Sequence, residues 1–81
     1  MITIAVPSSA QAGSSVCITV AGASSGAEVK VSGPDGTVTA EVESTGRDTL
    51  KVTFSAPRRG VVAIEVHETG KPLAAAAFAV V

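Results

Sequence analysis

Apolar and polar residues alternate through Glu28–Glu43, interrupted by Gly33-Pro34-Asp35-Gly36. Val29 and Val31 fall on one side of the first run, with Glu28, Lys30 and Ser32 on the other. Beyond the interruption, Val38, Ala40 and Val42 oppose Thr39, Glu41 and Glu43. Side chains point to opposite faces at successive strand positions, so each run predicts a strand with one dry and one wet face. The same pattern recurs along the chain. Ile2, Ile4 and Val6 alternate up to Pro7, which lacks an amide donor and ends the first run. Val16–Ala21, Ala27–Ser32 and Thr37–Glu43 are the next three predicted strands. Leu50, Val52 and Phe54 alternate with Thr49, Lys51 and Thr53, and Val62, Ile64 and Val66 with Ala63, Glu65 and His67. Ala76 or Ala77 through Val81 makes the last.

Seven strands, spaced about 8–12 residues apart with Gly or Pro between them, predict a sandwich or barrel. One segment pulls the other way. Leu73–Phe78 contains four consecutive alanines, the best helix formers. It is short, follows Pro72 and runs into Val80-Val81, and so short a helix has a costly nucleus. It is read as extended, with Phe78 pointing into the core.

With 81 residues the chain makes one domain, 1–81, and at this size roughly 60–65% of the unfolded surface can be buried. Phe54 and Phe78 are the only aromatic residues, so the core must be built from Val, Ile, Leu and Ala. Six basic and seven acidic residues leave a net charge of −1, without the basic excess of a nucleic-acid binder. Arg58-Arg59 is the only adjacent basic pair and reads as a solvated turn. No apolar run approaches the roughly 18–20 residues of a membrane span. No basic segment followed by an apolar one opens the chain, so no secretory signal is predicted. Cys17 is alone, which excludes an inter-sheet disulfide and points to a reducing, cytoplasmic setting.

Catalytic parts are missing from the sequence. Cys17 has no base or cationic neighbourhood to make it a nucleophile. His67 lies on the wet face beside Glu65 and Glu68, but one strand supplies at most two of the three or four ligands zinc needs. Glu41 and Glu43 share a strand face, whereas a calcium loop gathers six or more oxygens on irregular backbone. No phosphate-binding glycine loop or nucleophile elbow is present. No enzyme, cofactor or metal is expected.

The chain resembles the filamin-type immunoglobulin repeat over nearly its full length. The resemblance rests on Val29-Lys30-Val31-Ser32-Gly33-Pro34, on Val52-Thr53-Phe54 followed by Pro57 and Gly60, on Val62–Val66, and on Phe78-Ala79-Val80. Two departures mark a distant or redesigned member. Ala74–Ala77 stands where the family usually has Gly-Ser-Pro, and Val61 or Val62 replaces an aromatic residue. Bacterial surface immunoglobulin-like repeats are the other candidates.

The resemblance implies an all-β, seven-stranded antiparallel immunoglobulin-like sandwich of two sheets with Greek-key connections. It also implies that Gly33-Pro34-Asp35-Gly36 is a crossover between sheets, where Asp-Gly alone would suggest a tight hairpin. In filamin repeats a partner segment adds as a strand along the third-strand edge and fills the furrow beside the fourth. Here that edge is Ala27, Glu28, Val29, Lys30, Val31 and Ser32, and the furrow's other wall carries Val38, Ala40 and Val42. The expected partners are a peptide bound by strand addition or neighbouring repeats of a cytoskeletal or scaffold protein, with the isolated domain monomeric. The alternatives are a purely structural stalk unit and a designed domain with no ligand.

Overall fold

The computed structural model describes residues 1–81 and contains strands and turns but no helix. The strands are β1 (Thr3–Ala5), β2 (Ser9–Ala10), β3 (Ser15–Ala21), β4 (Glu28–Gly33), β5 (Gly36–Thr37), β6 (Glu41–Gly46), β7 (Thr49–Ser55), β8 (Gly60–His67) and β9 (Ala74–Val80). They form two sheets, one ordered β1-β3-β7-β6 and the other β2-β9-β8-β4-β5. Every pairing is antiparallel except β2 with β9, which is parallel.

The alternating patterns decide which faces meet. Val16, Ile18 and Val20 of β3 and Leu50, Val52 and Phe54 of β7 point inward from one sheet. Val31 of β4, Val62, Ile64 and Val66 of β8, and Phe78 and Val80 of β9 meet them from the other. No polar side chain is buried among them. The two phenylalanines are the largest members of this core. Phe54 and Phe78 face each other across the sheets, ring centroids 6.3 Å apart and tilted by 35°. Such pairs add about 0.5–1.5 kcal/mol beyond the area they bury.

Nine strands replace the seven expected, and each difference has a local cause. Pro7 ends the pairing of β1 with β3, and two residues later the chain reappears in the opposite sheet as β2. The predicted fourth strand, Thr37–Glu43, is split. Gly36 and Thr37 pair back on β4, whereas Val38–Ala40 pair with no strand and β6 begins only at Glu41. Beyond Glu43, where the predicted fourth strand ends, β6 continues as far as Gly46, with an irregular register between Ser44 and Gly46. Gly33-Pro34-Asp35-Gly36 is thus a short hairpin followed at once by a crossover. The alanine run is extended, and its strand starts at Ala74, earlier than expected.

Two corners interlock beside this crossover. Gly33 lies against Pro57, close enough that an added Cβ would sit 3.0 Å from the Pro57 ring. Gly60 lies against Pro34 in the same way, with a φ of 152° that side chains rarely adopt. Arg58 Nε donates to Asp35 Oδ2 at 2.8 Å across the same junction. The Gly-Pro turn and the Pro-x-x-Gly corner that carried the family resemblance are therefore one packing unit. At the other end, Glu68 Oε1 accepts from the Ser24 N–H and Oε2 from the Ser24 hydroxyl, both at 2.9 Å. Lys71 Nζ donates to Glu68 Oε1 at 3.3 Å and to the Gly22 carbonyl at 2.8 Å, tying the loop after β3 to the turn before β9.

Candidate functional site

The flank where β4 borders one sheet and β6 the other combines open backbone with open apolar surface. Only Val38, Thr39 and Ala40 separate β5 from β6. An extended chain covers about 3.3–3.6 Å per residue and packed sheets lie about 10 Å apart, so this link can only step straight across the sandwich. β4 and β6 consequently lie on the same flank, opposite the flank where β1 approaches β9.

On its inner side β4 pairs with β8 from Glu28 to Ser32. On its outer side only Ser32 and Gly33 are paired, with Thr37 and Gly36. One further bond, from the Val38 N–H to the Val31 carbonyl at 2.9 Å, ends that cover. Backbone groups alternate in direction along a strand, so the residue in phase with Val31 is Val29. The Val29 N–H and C=O, together with the Val31 N–H, face outward without a strand to pair with.

Across the furrow, Val42 stands opposite Val52 in the β6–β7 ladder and so points toward the inside of the sandwich. Val52 is fully buried, yet Val42 is 47% exposed because nothing from the facing sheet covers it. An inward-facing valine left half in water is an unfilled position in the core. Ser44, opposite Leu50, shares that inward face and is also exposed.

The expected site residues therefore separate into four groups. Val29 is half-buried on the inner face of β4 and Val42 is exposed on the inner face of β6, with Ala27 half-buried just before β4. Val31 is buried and Ser32 is covered by β5, which closes the upper end. Val38 and Ala40 are half-buried in the crossover, where they pack on the core instead of forming a strand wall. Glu28 and Lys30 are exposed on the outer face beside the open edge. The remaining chemistry-bearing residues do not join them. Cys17 is exposed on the outer face of β3, His67 is exposed at the end of β8, and no three His, Cys, Asp or Glu side chains gather.

A second concave surface escaped the sequence reading. Residues Met1–Ile4 and Pro72–Ala75 enclose a groove of about 580 Å³ on the opposite flank. Leu73 at its rim is 59% exposed. The signal for it was the apolar pair Pro72-Leu73 ahead of the alanine run, which the predicted last strand, starting at Ala76 or Ala77, did not include.

No protein-family model matches the sequence, and no curated protein sequence does. Among solved structures, the chain is similar to one described as the crystal structure of the Lin-41 filamin domain. The TM-score is 0.75, over 98% of this chain and 90% of that one, at 15% sequence identity. The fold is thereby the filamin-type immunoglobulin-like sandwich, reached by a sequence that shares few residues with that structure.

Proposed function

We propose that this domain is a non-catalytic interaction module that takes an extended peptide as an added strand along the outer edge of β4. The observation that carries this reading is the unpaired Val29 N–H and C=O on the edge of one sheet together with the inward-facing, half-exposed Val42 on the same-flank edge of the other. Strand addition draws affinity from backbone hydrogen bonds and specificity from pockets for alternate side chains. The peptide's inward side chains would lie over Val29 and Val42, and its outward ones beside Glu28 and Lys30. Because β5 closes the upper edge, the bound strand is short and extends from Val31 toward Ala27. In this reading the domain is one repeat of a larger cytoskeletal or scaffold protein in the cytoplasm, where Cys17 stays a thiol.

A structural spacer is the second reading, favoured by Glu28 and Lys30. Charged side chains on an edge strand guard it against pairing with other chains. A peptide with alternating valines separates the two readings when titrated onto wild type, Val42→Asp and Val29→Pro. Val29→Pro removes an outward N–H that the β4–β8 ladder does not use. Binding to wild type that both substitutions abolish supports the interaction module. Absence of binding across peptides of this pattern supports the spacer.

A further inference from the structure

A second sheet edge is open, and the phase of its backbone defines what fits it. β9 pairs with β8 from Ala74 to Val80, but with β2 only at Ala79 and Val80. The Val81 N–H donates to the Ala10 carbonyl at 2.8 Å, and the Val81 carbonyl accepts from the Ala12 N–H at 3.0 Å. Odd-numbered residues of β9 thus turn their backbone groups away from β8. At Ala75 and Ala77 those groups meet no strand.

This edge lacks the protection the other edges carry. β4 has Glu28 and Lys30, β6 has Glu41 and Glu43, and β1 is only three residues long. From Pro72 to Val81 there is no charged residue. An uncharged stretch of edge without a partner, here Ala74–Phe78, is a template for another strand.

We propose that this edge pairs with the same edge of a second copy of the chain, antiparallel, about a two-fold axis at Ala75. In that register Ala75 and Ala75 of the second copy exchange both N–H···O=C bonds, and Ala77 exchanges both with Leu73 of the second copy. Three features select this occupant. β2 blocks the edge from Ala79 onward, and in an antiparallel copy centred on Ala75 its own β2 falls level with Lys71 and Gly70, where β9 has not yet begun. The non-hydrogen-bonded pairs between Ala74 and Ala76 bring Cα atoms to about 4.5 Å, a spacing that small side chains fill without clash. On the outer face, Leu73 of the second copy lands opposite Ala77, whose partner on β8 is the small Ala63. The groove between Met1–Ile4 and Pro72–Ala75 opens onto the same junction. Two-fold pairing of one patch with itself is the commonest closed assembly. Here it would join two five-stranded sheets into one.

Sedimentation equilibrium from about 10 µM to about 1 mM, with hydrogen exchange at both ends of that range, tests the proposal. The expected result is a concentration-dependent dimer in which the Ala75 and Ala77 amides become protected. Ala75→Pro removes the central donor without touching the β8 ladder, and Ala75→Lys sets like charges face to face across the axis. Each is expected to weaken the dimer at least about tenfold while the circular dichroism spectrum is unchanged. If the proline variant unfolds, the solvent-facing lysine variant still decides. A monomer throughout the range overturns the proposal, as does a dimer indifferent to Ala75→Lys. A dimer that protects Val29 in place of Ala75 and Ala77 also overturns it.

Discussion

Replacing Gly60 by alanine probes the interlocked corners, and its cost can be worked from two separable terms. Gly60 has a φ of 152°, and holding a non-glycine residue in so sparsely populated a region costs about 1–3 kcal/mol. The new Cβ would also overlap the Pro34 ring. Displacing that rigid but exposed ring adds up to about 1–3 kcal/mol, the range of overpacking penalties. The sum, about 2–6 kcal/mol, is a large part of the roughly 4–12 kcal/mol expected for a domain of this length. A second substitution, Pro34→Ala, removes the obstructing ring and by itself costs about 0.4–1 kcal/mol through the freer unfolded chain. The double variant Gly60→Ala/Pro34→Ala should therefore recover the steric term but not the backbone term. Urea unfolding followed by far-ultraviolet circular dichroism measures all four proteins, since the chain has no Trp or Tyr for fluorescence. Gly60→Ala as stable as wild type would refute the reasoning. A double variant whose loss equals the sum of the single losses would refute the contact with Pro34.

Two further outcomes are expected from the same assay. Leu50 is 1% exposed, so Leu50→Ala should cost about 2–5 kcal/mol, whereas Val42→Ala on the same face of that sheet should cost under about 1 kcal/mol because the furrow leaves it unpacked. Equal losses at the two positions would mean the furrow is filled in solution. Glu68 titrates below the ordinary carboxylate range, chiefly because the Ser24 N–H and then the Ser24 hydroxyl donate to it, with Lys71 adding to the effect. A depressed folded-state pKa makes a contribution to stability that is complete above the unfolded value and is lost as pH falls through the folded one. Stability measured from neutral to acid pH should therefore fall less steeply in Glu68→Gln than in wild type. Identical slopes would place Glu68 outside the linkage.

Much of the fold could be read from period-two alternation, because both inner faces are uniformly apolar and few competing signals exist. Val16–Ala21, Leu50–Phe54 and Val62–Val66 each show the pattern with the predicted face buried. Pairing partners and crossovers were less legible, since they depend on contacts distant in the chain. Val38, Ala40 and Val42 read as one continuous strand face, but the hairpin to β4 and the step across the sandwich divide them. The alternation persists there because Val38 and Ala40 pack on the core edge from a connecting segment. β2 went unread because two residues of Ser and Ala carry no pattern, and only the Val81–Ala10 bonding reveals their pairing. In the candidate site, the alternation at Val29 placed a strand and the family resemblance implied that it is an edge, but which of its backbone groups are free depends on the Val38–Val31 bond. The exposure of Val42 depends on what is missing opposite it. No local pattern records that.

The central claim is that the outer edge of β4 receives an added strand, and the amide of Val29 reports on it most directly. In the free domain this N–H points outward from a strand that is paired with β8 on its inner side. It should exchange quickly with deuterium, while Lys30, bonded into the β8 ladder, exchanges slowly. On saturation with a valine-alternating peptide, the account predicts that Val29 exchange slows toward that of Lys30 and that Val42 methyl resonances shift with it. Bound peptide that leaves Val29 exchange and the Val42 methyl resonances unchanged would contradict the account.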